Sequence, residues 1–346
     1  MPDTIQVALI TNAGGAHVDA YLQALAACEE CRQVTLADPD GRWEAAARRV
    51  LGSKLKRVVR DYQALLSEER PGMALVSLEA RLAPPVIDAV LEGGIHVLAE
   101  KPACVRVENF VPLVQKADAK HCFLMLALAN RSNPEIIAAR EVLTAGRIGR
   151  LYALEMHLVA DQTRLANKQY QQQWFAQRDR AGGGHLIWLG IHWLDLAMHI
   201  TGLSISEVAG FTANVGGQPI DVEDAAAAAF RFENGALGTI SSGYYLDKGY
   251  HSHLRAWGST GWLSLDPVNE KRLRWYSTSG PQAGKLHESE PTTDSGGYTP
   301  FVKAAVRACL LGRDPPVSNA DSLRALRTVF AIYQAAMSGQ VQALGP

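Results

Sequence analysis

Residues 5–17 read IQVALITNAGGAH and set the architecture of the first part of the chain. A mostly apolar run, Ile5–Thr11, is followed by the adjacent glycines Gly14 and Gly15 and then by a helical pattern. Continuous apolar runs of this length are typical of strands that are buried on both faces of a parallel sheet. The stretch therefore predicts the first strand, turn and helix of a doubly wound α/β domain, which holds its ligand at the carboxyl ends of its strands.

The alternation of apolar runs and helical patterns continues through the first 125 residues. Four more strands are predicted at Gln33–Asp38, Met73–Leu78, His96–Ala99 and Cys122–Leu128, and helical patterns lie between them at Val18–Ala27, Pro84–Leu91 and Phe110–Ala119. Strands that alternate with helices predict a doubly wound parallel sheet, a Rossmann fold, over residues 1–125.

The pattern changes in residues 126–346. After helical residues 135–143, a strand is predicted at Leu151–Ala160, and two hairpins follow: Ala225–Phe232 with Ala236–Tyr245, and His253–Trp257 with Gly261–Leu265. Residues 278–297, rich in Ser, Thr, Gly and Pro, are predicted as a long mobile loop before helices at Pro300–Leu311 and Asp321–Met337. We expect residues 126–346 to form an α+β domain with an open, mostly antiparallel sheet, which binds substrate and carries oligomerisation.

Composition excludes several classes of protein. The 346 residues include 34 Lys and Arg against 35 Asp and Glu, so a net charge of −1 leaves no basic excess for nucleic acid. No apolar run approaches the roughly 20 residues that cross a bilayer, and the first residues show no secretory pattern. Cys28 and Cys31 have CxxC spacing, but the chain offers no second pair for zinc. We expect a cytoplasmic protein without a metal, membrane or nucleic-acid partner.

Two features of the first 40 residues point to a dinucleotide. The loop Asn12-Ala13-Gly14-Gly15 keeps only part of a G-x-G-x-x-G turn, yet it precedes a helix whose N-terminal amides can hold a phosphate. By itself the loop is equally typical of a plain strand–helix turn. Asp38 ends the second strand, where an acid can accept hydrogen bonds from an adenosine ribose and repel the phosphate of NADP. It can equally belong to an Asp-Pro turn.

The segment Glu100-Lys101-Pro102 resembles the E-K-P motif of the glucose–fructose oxidoreductase, inositol dehydrogenase and MocA (Gfo/Idh/MocA) family. The resemblance extends along the chain through segments in the family's order: Arg131 with Pro134 (R-x-x-P), 146–149 (G-x-I-G), 182–184 followed by 190–195 (G-G-G…G-x-H-x-x-D), 221–224, 234–235 and 258–261. Agreement across so many ordered segments is far more specific than any single motif.

The resemblance implies an NAD-dependent oxidoreductase that transfers a hydride between nicotinamide and a secondary hydroxyl of a sugar, polyol or related cyclic alcohol. Such a reaction needs a cation for the developing alkoxide and a base for the hydroxyl proton. Lys101 is predicted to supply the charge, with a cis peptide bond before Pro102 implied by the resemblance, and His192 to exchange the proton. The cofactor, NAD in preference to NADP, is assigned to Asn12, Ala13, Gly14, Gly15, Asp38, Glu100 and Lys101.

The sequence departs from the family beside the catalytic histidine. Relatives usually have an Asp four residues before it, where this chain has Trp188. Trp188 is predicted to stack on a sugar ring or to fill the pocket, and Asp195 can orient His192 from the next turn. Trp174 is predicted to line the substrate cleft or to belong to the core. Arg131 is predicted to bind substrate or to form a salt bridge near the domain junction.

A helical-wheel count over residues 185–201 places five side chains on one face of a continuous helix: His185, Trp188, His192, Asp195 and His199. Three histidines on one face suggest metal ligands. Along a helix they spread over roughly 21 Å, at 1.5 Å per residue, so no metal is assigned.

Two other functions stay open. One is a redox-neutral glycoside hydrolase or lyase with tightly held NAD, which would turn over without added cofactor. The other is a non-catalytic sugar-binding descendant, favoured by Trp188 and the incomplete glycine loop but not by the presence of both Lys101 and His192. In each case we expect a carbohydrate-like ligand. Because an open sheet with an apolar face needs covering, we also expect a homodimer or homotetramer.

Overall fold

The computed structural model of the protein describes residues 4–161, 163–246, 248–267, 272–290 and 296–345. The chain divides into two compact units. The first comprises Met1–Ser132, Asp179–Gly182 and Ser295–Arg324, and the second comprises Asn133–Arg178, Gly183–Asp294 and Ala325–Pro346. The boundary between residues 125 and 126 stays a prediction, and these units add that residues 295–324 return to the first one.

The first unit contains the doubly wound sheet that the apolar runs predict. Its strands are β1 (Ile5–Thr11), β2 (Cys31–Ala37), β3 (Leu55–Val59), β4 (Met73–Ser77), β5 (His96–Ala99) and β6 (Leu124–Leu126), and its helices are α1 (Val18–Ala26), α2 (Glu44–Leu51), α3 (Tyr62–Glu68), α4 (Ala83–Glu92) and α5 (Val111–Ala119). All six strands are parallel, in the order β3-β2-β1-β4-β5-β6. The sequence analysis missed β3, because Lys56 and Arg57 interrupt its apolar run and the strand is only half-buried.

The second unit contains the predicted open sheet. Residues 134–288 form α6 (Pro134–Thr144), β7 (Leu151–Asp161), α7 (Thr163–Ala166), α8 (Lys168–Gln171), α9 (Arg178–Ala181), α10 (Ile191–Thr201), β8 (Ile205–Ala213), β9 (Ala225–Phe232), β10 (Leu237–Leu246), β11 (Tyr250–Gly258), β12 (Gly261–Leu265), β13 (Leu273–Ser277) and β14 (Leu286–Glu288). All of α9 after Arg178 belongs to the first unit. With β15 (Gln342–Ala343), nine strands lie in the order β14-β13-β12-β11-β7-β10-β9-β8-β15. Only β7 and β10 pair in parallel among these neighbours. Helices α6 and α10 pack against this sheet.

Two late helices follow, α11 (Tyr298–Leu311) and α12 (Asn319–Ser338). Helix α11 packs on α1, where Tyr298 meets Tyr21 edge to face with ring centroids 5.2 Å apart. At the start of α12, the side chain of Asn319 accepts a hydrogen bond from the Leu124 amide of β6 at 2.7 Å. These contacts explain why residues 295–324 belong to the first unit, which no local sequence pattern indicates.

The structure corrects one prediction of local structure and refines another. The predicted loop 278–297 contains the short strand β14, and its residues 291–295 lie outside the described part of the chain. The predicted helix over 185–201 is present, but Leu186–Gly190 form a π-helical turn within it before α10 begins. Within the described ranges, the helices are too short or too polar to span a bilayer.

Candidate active site

The turn after β1 is tight, and it requires a glycine at position 15. A Cβ atom on Gly15 would lie 2.0 Å from Thr11 Oγ1 and 2.8 Å from the carbonyl oxygen of Ser77. Thr11 Oγ1 donates to that carbonyl oxygen at 2.9 Å, and Ser77 Oγ donates to the Ala16 carbonyl oxygen at 2.7 Å. These bonds join the ends of β1 and β4, so the small loop residues leave the backbone accessible at the edge where this fold binds ligands.

Asp38 follows β2 at the same edge and is fully buried. Its Oδ2 atom accepts a hydrogen bond from the Trp43 backbone amide at 2.7 Å. Its Oδ1 atom is buried and has no hydrogen-bond partner among the described residues. A buried acceptor without a donor is unfavourable by about 1–3 kcal/mol, and ribose hydroxyls are the donors that a dinucleotide brings to this position. Asp38 is therefore both a turn residue and a fitting acceptor for an adenosine ribose.

Two further side chains join the loop after β2 to the loop after β1. Asp40 Oδ2 accepts from the Ala13 amide at 2.8 Å, and Trp43 Nε1 donates to the Asn12 carbonyl oxygen at 2.8 Å. The Gly14 amide donates to Asn12 Oδ1 at 2.9 Å. The sequence analysis assigned the glycine loop to the cofactor but missed Asp40 and Trp43, whose position just after the second strand was the available signal.

Strand β5 delivers Glu100 and Lys101 to this same edge of the sheet. Both side chains are about 1% exposed, and Lys101 Nζ lies 4.0 Å from Glu100 Oε1. The peptide bond between Lys101 and Pro102 is cis, which confirms the expectation from the E-K-P motif. Burial lowers the pKa of Lys101 to about 8, and the Glu100 carboxylate opposes this effect. Lys101 can therefore gain or lose its charge close to neutral pH.

Three more side chains surround the Glu100 carboxylate. Tyr21 donates its hydroxyl to Glu100 Oε2, and His17 Nδ1 lies 3.2 Å from the same atom. The Tyr298 hydroxyl lies 2.9 Å from His17 Nδ1. Burial and the charge of Glu100 raise the pKa of Tyr21 well above its ordinary value, so Tyr21 remains a donor. No sequence pattern points to this set of side chains.

Arg131 lies elsewhere in the first unit and is buried. Its Nη1 atom lies 3.0 Å from Asp321 Oδ2 and donates to the Pro316 carbonyl oxygen at 3.2 Å. Of the two predicted roles, the structure shows the salt bridge.

In the second unit, a buried carboxylate holds the helical segment that leads to His192. Glu223 Oε2 accepts from the Gly184 amide at 2.8 Å and Oε1 accepts from the Leu186 amide at 3.0 Å. The Tyr333 hydroxyl donates to Glu223 Oε1 at 2.7 Å. A Cβ atom on Gly184 would lie 2.0 Å from the Glu223 carbonyl oxygen, which explains a glycine there. The helix start is thus fixed by side chains from two other segments.

The π turn separates the side chains that the helical wheel placed on one face. His185 is buried with Nδ1 2.7 Å from Ser242 Oγ, whereas His199 Nδ1 lies 2.8 Å from Arg140 Nη1. An i→i+5 turn adds a residue to the helical repeat, so positions before and after it lose their i+4 alignment. The face predicted by the helical wheel is therefore interrupted at residues 186–190, while His192, Asp195 and His199 keep their i+3, i+4 and i+7 spacing on α10. Across the described ranges, no group of three or more His, Cys, Asp or Glu side chains is placed to hold a metal ion.

The aromatic side chains before His192 form a packed cluster. Trp174 is buried and meets Trp188 edge to face with centroids 5.5 Å apart, and Phe175 lies 5.3 Å from Trp188. Trp174 therefore belongs to the core, while Trp188 is half-buried at its margin. His192 is half-buried on α10. Asp195 is buried one turn later on α10, and its action on His192 stays a prediction.

A doubly wound sheet with an acid after β2 and a buried lysine after β5 defines the class of NAD-binding Rossmann-fold oxidoreductases. Residues 5–128 match the model of the oxidoreductase family with an NAD-binding Rossmann fold, and residues 136–264 match the GFO/IDH/MocA C-terminal domain. The chain belongs to the GFO/IDH/MocA family and is an oxidoreductase acting on CH–OH groups.

Individual proteins show the same relationship. The chain is similar to the 1,5-anhydro-D-fructose reductase of Ensifer adhaerens, with 24% identity over 299 residues that cover 80% of this chain and 86% of the relative. Myo-inositol 2-dehydrogenase of Thermotoga maritima is 21% identical over 80% of this chain and 81% of the relative. An uncharacterized oxidoreductase of Schizosaccharomyces pombe is 28% identical over 46% of this chain and less than half, 42%, of that relative. The structure of an oxidoreductase domain protein from Kribbella flavida has the same fold, with a TM-score of 0.90 and 24% identity over 100% of both chains.

Proposed function

We propose that the chain is an NAD-dependent dehydrogenase or reductase that transfers a hydride between nicotinamide and a secondary hydroxyl of a sugar, polyol or related cyclic alcohol. The observation that carries the proposal is Lys101, a buried amine beside the buried carboxylate of Glu100 at the end of β5. Burying an ionisable pair contributes little to stability, so a chemical role explains it better. Similarity to an anhydrofructose reductase and to a myo-inositol dehydrogenase supports a cyclic polyhydroxy substrate.

Each proposed residue has one task. Lys101 in its charged form binds the substrate oxygen and stabilises the negative charge that develops on it. His192 exchanges the hydroxyl proton with that oxygen. NAD, when bound, supplies the hydride acceptor or donor. Asn12, Ala13, Gly14, Gly15, Asp38, Glu100 and Lys101 would hold it.

Two finer proposals concern the choice of cofactor and the cellular compartment. The acidic end of β2 favours NAD over NADP, because a carboxylate there repels a 2′-phosphate. All five cysteines are free thiols and four of them are buried, which fits the reducing interior of a cytoplasm. Burial raises the pKa of Cys31 to about 12, so this thiol stays protonated and unreactive.

The test begins with a thermal-shift screen of NAD, NADP and a panel of sugars and polyols. A ligand at a hundred times its Kd stabilises a protein by about 2.7 kcal/mol.

Once a substrate is known, His192→Ala should lower kcat by about 10²–10⁴-fold while NAD still binds in calorimetry. His199→Ala, on the same helix but against Arg140, is the matched control and should keep kcat within a few-fold. Near-full turnover in His192→Ala would remove His192 from the reaction, and absence of NAD binding would remove the proposed function.

A further inference from the structure

We propose that Asp40, rather than Asp38, is the residue that makes the chain select NAD over NADP. The inference rests on the proposed function, since it requires a dinucleotide at the ends of β1 and β2. It adds which side chain discriminates at the 2′ position of the adenosine ribose.

The two carboxylates differ in accessibility. Asp38 is fully buried, with Oδ2 engaged by the Trp43 amide and Oδ1 enclosed. Asp40 is exposed. A 2′-phosphate is larger than a hydroxyl and carries up to two negative charges, so burying it would cost far more free energy than burying a hydroxyl. The exposed carboxylate of Asp40 is therefore the charge that it meets, whereas the enclosed Oδ1 of Asp38 suits a single hydroxyl donor.

Asp40 is also held in place. Its Oδ2 atom accepts from the Ala13 amide at 2.8 Å, which ties the carboxylate to the glycine loop. A hydrogen bond to a charged acceptor is roughly twice as strong as a neutral one. Moving Asp40 aside for a phosphate would break this bond and leave the Ala13 amide without its acceptor. A substitution that neutralises or removes the Asp40 carboxylate would therefore let a 2′-phosphate bind without this rearrangement.

One nearby arginine that could bind a phosphate, Arg60, already forms hydrogen bonds within the protein. Arg60 Nη1 donates to the Asp38 carbonyl oxygen at 2.8 Å, and Nη2 donates to Glu44 Oε2 at 2.7 Å. Gly41 makes room for this arrangement, since a Cβ atom there would lie 2.9 Å from Arg60 Nη1. Arg42 is exposed in the same turn, and its positive charge would favour a phosphate there. Because the hydrogen bond from the Ala13 amide fixes the Asp40 carboxylate, we expect its repulsion of the 2′-phosphate to outweigh the attraction of Arg42.

Calorimetric titration of the full-length chain with NAD and with NADP tests the inference without any turnover. Wild type should bind NAD more tightly. Asp40→Asn keeps an oxygen for the Ala13 amide but removes the charge, and should lower the Kd for NADP about tenfold while the Kd for NAD stays within about threefold. Asp40→Glu keeps the charge and should keep the preference. The matched control Asp38→Asn should weaken both dinucleotides alike and leave their ratio unchanged.

The possible results distinguish a failure of the role inferred for Asp40 from a failure of the proposed function. An unchanged NADP-to-NAD ratio in Asp40→Asn would overturn it, as would a ratio that shifts in Asp38→Asn instead. If Asp40→Asn unfolds in a thermal scan, Asp40→Ser supplies the same comparison with a hydroxyl acceptor. A wild-type chain that binds neither dinucleotide would remove the proposed function and this inference with it.

Discussion

The protonation state of Lys101 depends on the residues that enclose its amine. Because burial lowers its pKa to about 8, the amine is protonated below that pH and neutral above it. If its positive charge stabilises the substrate oxygen, kcat/KM should decline as the pH rises above about 8, since kcat/KM reports the free enzyme. Lys101→Arg stays charged at every accessible pH, because a guanidinium does not lose its proton. We expect this variant to lower the rate and to abolish the decline.

The measurement is a profile of kcat/KM from about pH 6 to 10 for both proteins. Lys116→Arg is the control, because its amine pairs with Asp88 and Glu92 on the surface of the first unit. A decline that persists unchanged in Lys101→Arg would assign the titration to another group.

At the residue scale, the sequence indicates which residues carry the chemistry but not which side chains surround them. The E-K-P motif identified Lys101, and the cis bond that it implies is present. The side chains around Glu100 were missed, because His17 and Tyr298 lie 281 positions apart and meet only after residues 295–324 return to the first unit. Asp38 was identified, but its burial and the role of Asp40 depend on the fold of one short loop.

At the scale of elements, the helix that carries His192 depends on Glu223. Removing this carboxylate leaves the Gly184 and Leu186 amides and the Tyr333 hydroxyl without their shared acceptor. Each buried donor left unsatisfied costs about 1–3 kcal/mol. Glu223→Ala should therefore lower the free energy of unfolding by about 3 kcal/mol or more, and the melting temperature by several degrees.

Thermal or denaturant unfolding measures this loss, and Asp221→Ala is the matched control. Asp221 is exposed on the same segment and its Oδ2 atom accepts from the Arg178 amide at 3.1 Å, so its removal should cost about 1 kcal/mol. Equal losses in the two variants would contradict the capping role of Glu223.

The elements themselves follow the sequence where periodicity is unambiguous. Strands β1 and β5 begin and end where the apolar runs do, because both are buried between helices. The helix at residues 185–201 is present as the sequence predicts, but its π turn is not foreseen, since hydrophobic periodicity shows which residues are helical and not where one extra residue enters a turn. Here the π turn lies where Glu223 and Tyr333 hold the backbone, and those contacts come from distant segments.

At the scale of the whole molecule, one face of the open sheet carries no helix among the residues that the structure describes. Phe211 is 80% exposed on this face and Leu237 is 55% exposed. A patch of this kind on a soluble chain usually marks an interface. We predict a homodimer or homotetramer that covers it, so light scattering at micromolar concentration should give at least twice the 37.5 kDa of one chain. Phe211→Asp should shift the mass towards one chain, whereas Met337→Asp, 73% exposed on α12, should not.

We also predict that the association of chains through this face depends on pH. His157 of β7 and His253 of β11 are register partners, stacked with ring centroids 5.2 Å apart. Burial lowers the pKa of His157, and the charge of His253 lowers it further. Covering the face with a second copy would desolvate His157 further, so the assembly would bind fewer protons than the separated chains, and acid would favour separation. The mass should therefore fall between pH 7.5 and about pH 5.5. His157→Gln should remove this change, while His121→Gln in the first unit should leave it intact. A wild-type mass that is the same at both pH values would place the interface elsewhere.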